Sequence, residues 1–148
     1  MERYASAQWR GNLKQGMGFI RTESGCLSNL PYSFLKRFGQ EPGTNPEELI
    51  ASAHSACFAM AMSGELDKKN LKAETIDVRA NVMLEQQGAS WSISKVRLDV
   101  TAFVPNASRE QVEEAAQSAK ANCPVSKLLK AEITMNLSIA SHQSASMQ

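Results

Sequence analysis

The sequence predicts an α+β fold, a mostly antiparallel sheet system with helices packed on it, in one domain spanning residues 1–148. Three observations carry this reading. Period-two alternation of apolar and polar residues marks strands at 76–84, 91–104 and 133–139. Two helices open on capping signatures, at Asn45 and Ser108. The composition is 43% apolar and 21% charged with a net charge of +1, a globular balance that excludes disorder and lacks the cation surplus of a nucleic-acid binder.

The first forty residues read as short strands and turns: 4–9, 16–22 and 27–34, punctuated by Gly11, Gly16, Gly18 and Gly25. The strongest helix spans 45–66. Asn45 suits the N-cap, Pro46 the first helical position, and Glu48 the acid of a capping box. From Leu49 to Met62 this helix is apolar nearly all round, broken by Ser52, His54 and Ser55. Such a helix is buried on most sides. A chain of 148 residues does not easily enclose it, so burial against a second subunit is expected.

Ile76, Val78, Ala80, Val82 and Leu84 then form one face of a half-buried strand. A turn at Gln86-Gln87-Gly88 leads into a second strand, whose phase slips at Ser94-Lys95 and so predicts a β-bulge. Ser108 with Gln111 forms a capping box, and Val112, Ala115, Ala116, Ala119 and Cys123 fall on one helical stripe. Pro124 opens a short helix to Lys130. Ile133 to Ile139 make the last strand, and residues 141–148 read as a frayed tail. The expected order is βββ–α–ββ–αα–β.

No apolar run approaches the roughly 18 residues of a membrane span, and the amino-terminal segment lacks the pattern of a secretory signal. A cytoplasmic protein is expected, with no membrane or nucleic-acid partner. The three cysteines, Cys26, Cys57 and Cys123, are odd in number and widely spaced, which points to free thiols rather than a disulfide framework. A zinc site is not expected, because no pair of Cys or His has ligand spacing and His142 lies in the tail. No Gly-rich phosphate loop or nucleophile elbow is present in the sequence.

Cys57 sits in the middle of the apolar helix, where periodicity alone favours a small core residue. Cys123 precedes Pro124, near a helix start whose N–H groups favour a thiolate, so both a reactive and a buried reading stand. Cys26, in a Ser-Gly-Cys-Leu turn, reads as incidental. His54, three residues before Cys57, reads as a base, a ligand, or a polar residue packed at an interface, with the last favoured. Glu47 and Glu48 suit the helix dipole; Glu48 fits the capping position better and leaves Glu47 freer. Arg37, in FLKRFG, reads as a solvated loop cation.

The run GTNPEELIASAHSACFAMAMS, followed later by ANCPVSKLLKAEITMNL, strongly resembles the OsmC/Ohr family. TESG and PYSFLKRF match in order, so the resemblance covers nearly the whole chain. The Ala-His-Ser-Ala-Cys-Phe form and the Arg-Phe pair ahead of Gly-Thr-Asn-Pro look like the OsmC branch. The resemblance implies an OsmC-like fold: antiparallel sheets packed on long central helices in an intertwined homodimer, with active sites at the subunit interface. It implies a thiol-dependent peroxidase that reduces organic hydroperoxides in stress defence. It implies that Cys57 is the peroxide-attacking thiol, Cys123 the resolving thiol, Arg37 the active-site arginine and Glu47 the acid paired with it. Cys26 matches no family motif.

That chemistry uses no metal, haem or flavin, and an external thiol or dithiol regenerates the enzyme. Glu47 and Cys57 are ten residues apart, about 15 Å of rise on one straight helix. Sites built from both subunits are therefore expected, with Arg37 and Glu47 from one chain and the two cysteines from the other. A different class remains open: a non-catalytic dimeric module that senses oxidation or holds an apolar ligand.

Overall fold

The computed structural model describes residues 1–141. The expected frayed tail, with His142, therefore lies almost wholly outside the described residues. Chain contacts divide the protein into two compact units, Met1–Leu49 and a second beginning at Ile50.

The first unit is a three-stranded antiparallel sheet, β1 (Ala5–Arg10), β2 (Met17–Thr22) and β3 (Leu30–Ser33), in the order β1-β2-β3. Gly18 pairs with Trp9 on one side and Tyr32 on the other. A Cβ there would lie 2.4 Å from the Tyr32 ring and 2.8 Å from Trp9, so only glycine lets these two aromatics close over the strand, centroids 5.4 Å apart. The expected strand over 27–34 shortens because Asn29 takes a positive φ of 53°. Ser33 caps a short helix, α1 (Phe34–Phe38), by accepting a hydrogen bond from the Lys36 amide at 3.2 Å. Arg37 therefore sits on a helix, not in the loop that its neighbours suggest. No apolar side chain before Ile50 is buried, and Tyr4, Leu13, Met17 and Leu35 are exposed.

Helix α2 runs unbroken from Pro46 to Asp67. Asn45 Oδ1 accepts from the Glu48 amide at 2.8 Å, the expected N-cap. His54, Phe58, Met62 and Leu66 recur every fourth residue and form the buried face. On the opposite face, Ala53, Ala56 and Met60 are exposed in the single chain, Met60 at 78%.

In the second unit, β4 (Thr75–Gln87) and β5 (Ser90–Phe103) make a long antiparallel hairpin. Met83 pairs with Lys95 and Leu84 with Ile93, which leaves Ser94 as the extra residue of the expected bulge. Val96, Leu98, Val100 and Ala102 point into the core, where they meet the α2 face and the stripe of α3 (Arg109–Asn122): Val112, Ala115, Ala116 and Ala119. The Ser108–Gln111 capping box forms, with bonds of 3.3 and 2.8 Å. A short α4 (Pro124–Leu128) follows, ending two residues before the expected Lys130. The last strand, β6 (Glu132–Ile139), pairs parallel to β5 rather than antiparallel. Alternation alone carries no strand direction. The crossover through α3 and α4 returns the chain to Lys95, early in β5, and so imposes the parallel sense. Among the described residues no helix is long and apolar enough to cross a membrane.

Candidate active site

The second unit brings two of the sequence's candidate residues together. Cys57 lies mid-way along α2, and Cys123 sits at the junction where Pro124 ends α3 and starts α4. Their sulfurs are 3.0 Å apart and unbonded. A disulfide is about 2.05 Å long, so closing the pair needs a movement of only about 1 Å. Cys57 is half-buried, whereas Cys123 is fully enclosed. A small molecule arriving from solvent meets Cys57 first.

The surroundings act differently on the two sulfurs. Burial pushes the Cys57 thiol up, and its contact with Cys123 adds to the rise, against a smaller pull from the Val125 amide. For Cys123 burial also acts upward. It is outweighed by the bond to Cys57, by the amide and hydroxyl of Ser126, and by the Val125 amide, so this thiol is held below its ordinary range. Within one chain a thiolate is therefore better supported at the inner sulfur. A cation near Cys57 would draw it outward.

His54, the third polar member of the cluster, is completely buried, with its Nε2 2.8 Å from the Ser126 hydroxyl. Burial lowers its pKa and keeps it neutral. Sequence reasoning missed Ser126. A serine one turn after Cys123, in a helix of five residues, carries no pattern that marks it as buried.

The first unit assembles the other expected pair. The Arg37 guanidinium meets the Glu47 carboxylate through Nη2 at 2.6 Å and through Nε at 3.2 Å to both oxygens. Glu47 is on the first turn of α2, where the helix dipole favours an acid, and its side chain is only 12% exposed. Arg37 also stacks on Phe38, with Cζ 5.0 Å from the ring centroid. Its Nη1 makes no hydrogen bond among the described residues, so one edge of the fork stays free for a ligand. Beside it opens a cleft of about 280 Å³ lined by Trp9, Leu13, Tyr32, Phe34 and Phe38. Cys26 is exposed and joins neither pair.

This fold is that of the OsmC-like proteins. A superposable OsmC-like protein of unknown function from Vibrio cholerae has a TM-score of 0.75 at 19% identity, covering 93% of this chain and 99% of that one. The organic hydroperoxide resistance protein OhrB of Bacillus subtilis has a TM-score of 0.66 at 21% identity, covering 93% and 98%. Residues 39–138 match the family model described as OsmC-like protein. The chain is 44% identical over 135 residues to the peroxiredoxin OsmC of Escherichia coli K12, covering 91% of this chain and 94% of that protein. It belongs to the OsmC/Ohr family, in the OsmC branch.

Proposed function

We propose that this protein is a thiol peroxidase that reduces organic hydroperoxides to alcohols, acting as a homodimer. The observation that carries the reading is the 3.0 Å contact between a half-buried and a fully buried thiol, which suits one sulfur to attack and the other to resolve. The kinship with a protein named peroxiredoxin and with proteins named for organic hydroperoxide resistance supports it.

In this reading the Cys57 thiolate attacks the terminal oxygen of R–O–O–H. The O–O bond breaks, Cys57 becomes a sulfenic acid, and the alkoxide takes the Cys123 proton to leave as alcohol. The Cys123 thiolate then attacks the Cys57 sulfur. The S–S bond forms, and the departing hydroxide takes a solvent proton and leaves as water. An external dithiol reopens the disulfide by exchange. No prosthetic group enters these steps.

The homodimer is supported by two uncovered apolar features: the Ala53, Ala56 and Met60 face of α2, and an amino-terminal sheet with no buried apolar side chain. Because α2 is unbroken, Glu47 and Cys57 stay about 15 Å apart along one helix. The arginine that activates Cys57 therefore comes from the second copy. Its charge draws the pair's negative charge from Cys123 to Cys57, Glu47 fixes its plane, and its free edge holds the peroxide oxygens. The aromatic cleft beside it suits the organic group of the substrate. In this reading the single domain expected over 1–148 functions only as a pair of chains.

A steady-state assay with cumene hydroperoxide and a dithiol tests the proposal. Sustained peroxide consumption is expected. A single oxidation equivalent followed by arrest would instead identify a redox sensor.

A further inference from the structure

His54 and Ser126 take no part in the steps above, yet they complete a continuous polar chain through the interior. His54 Nε2 lies 2.8 Å from Ser126 Oγ, and the Ser126 hydroxyl and amide both bond Cys123, whose sulfur is 3.0 Å from Cys57. His54 and Cys123 are fully buried, and Ser126 is 7% exposed. A core built of Phe58, Met62, Leu66, Leu98, valines and alanines gains nothing from a histidine and a serine as packing.

The direction of the chain follows from the one unsatisfied atom in it. His54 Nδ1 is buried and meets no partner among the described residues. With the proton on Nδ1, a donor would be orphaned; with the proton on Nε2, only a lone pair is. The second arrangement is cheaper, so Nε2–H donates to Ser126 Oγ. A hydroxyl has one proton, and this arrangement frees it for the sulfur.

We propose that His54 is a positioning residue for disulfide formation: its Nε2–H donates to Ser126 Oγ, so that the Ser126 O–H donates to Cys123 and holds that sulfur as the thiolate that attacks the Cys57 sulfenic acid. The kinetic part of this inference rests on the peroxidase reading; the hydrogen-bond part does not. The step balances. Cys123 contributes an electron pair to the new S–S bond, the S–O bond of Cys57 breaks, and hydroxide leaves and is protonated by solvent. Burial keeps His54 neutral, so it acts as a donor of fixed orientation and does not change its own protonation.

The test uses the full chain with the exposed Cys26 replaced by Ser. After one equivalent of cumene hydroperoxide, sulfenic acid is trapped with dimedone and disulfide is followed by mass spectrometry. Ser126→Ala and His54→Ala are each expected to slow disulfide formation about tenfold relative to sulfenic acid formation. His54→Gln, whose amide N–H can stand in for Nε2–H, recovers most of the loss. In a parallel arm, Cys57→Ser isolates Cys123, whose thiolate absorbance is titrated. Its midpoint is expected to rise in Ser126→Ala and His54→Ala and to return in His54→Gln. An unmoved midpoint overturns the proposal, even if the disulfide step is slower, because that pattern marks packing alone. If His54→Ala does not fold, Ser126→Ala and His54→Gln decide the matter. A midpoint that shifts as expected in a protein that consumes no peroxide upholds the hydrogen-bond chain and refutes the peroxidase reading.

Discussion

If the arginine acts across the dimer, two inactive variants should repair each other. Arg37→Ala removes the cation and keeps the thiols; Cys57→Ser removes the attacking thiol and keeps the cation. A charge-assisted hydrogen bond is worth about 1.5–3 kcal/mol, so Arg37→Ala alone should lose roughly tenfold to a hundredfold in the reaction with peroxide. Arg37→Lys should recover only part, because an ammonium cannot span Glu47 through both Nε and Nη2 as the guanidinium does. Cys57→Ser alone should lose all turnover. When the two are unfolded, mixed in equal amounts and refolded, about half the dimers pair one of each kind, by the symmetry of a twofold assembly. Each mixed dimer has one site with an intact arginine opposite an intact thiol pair. About a quarter of all sites should then work, and peroxidase activity should return to about a quarter of wild type. The assay is peroxide consumption with a dithiol, with the mixed dimer isolated by a tag on one variant. If the mixture stays at the sum of the two inactive proteins while mixed dimers are present, the arginine works within its own chain.

Four further outcomes concern the thiols, the dimer and His54. Cys123→Ser should still accept one oxidation and stop at the sulfenic acid, whereas Cys57→Ser should accept none at the buried Cys123; mass spectrometry after one equivalent of peroxide reads both. Sedimentation should give about twice the chain mass of 16.2 kDa. Met60 is 78% exposed in one chain, and burying a Met side chain is worth about 1.5–3 kcal/mol, so Met60→Glu should weaken the dimer at least tenfold; an unchanged dissociation constant would place the interface elsewhere. Thermal stability should fall on acidification. His54 is held neutral by burial, so its contribution is full above its ordinary value of about 6.5 and is lost as pH falls from there towards its lowered folded pKa. The loss between pH 7 and 5 should shrink in His54→Gln, as read by thermal melts; equal slopes would show that another group dominates.

Local signals carried most of the elements. The capping signatures at Asn45 and Ser108, the stripe from Val112 to Cys123 and the phase slip at Ser94 are each set by residues within a few positions of one another, and each element formed where its signal lay. Resemblance of two distant cysteine segments then marked Cys57, Cys123, Arg37 and Glu47. The structure pairs them as two contacts of 3.0 and 2.6 Å.

What sequence could not decide depends on contacts between distant parts of the chain. The parallel sense of β6 follows from where the crossover lands, and alternation is blind to strand direction. Arg37 reads as a loop cation because a helix of five residues has no periodicity to detect. The exposed Met60 face was hidden by a composition that is apolar all round, since a pattern shows that a surface must be covered and not which neighbour covers it. Ser126 shows the limit most clearly. It is a common surface residue in a short polar segment, and only the packing of α2 against the α3–α4 junction places its hydroxyl between a buried histidine and a buried thiol. Residue identity and spacing determined which groups the chain carries and the elements they ride on; tertiary packing decided which of them meet, because hydrogen bonds and charge transfer act over about 3 Å while the sequence separations here run to 66 and 72 residues.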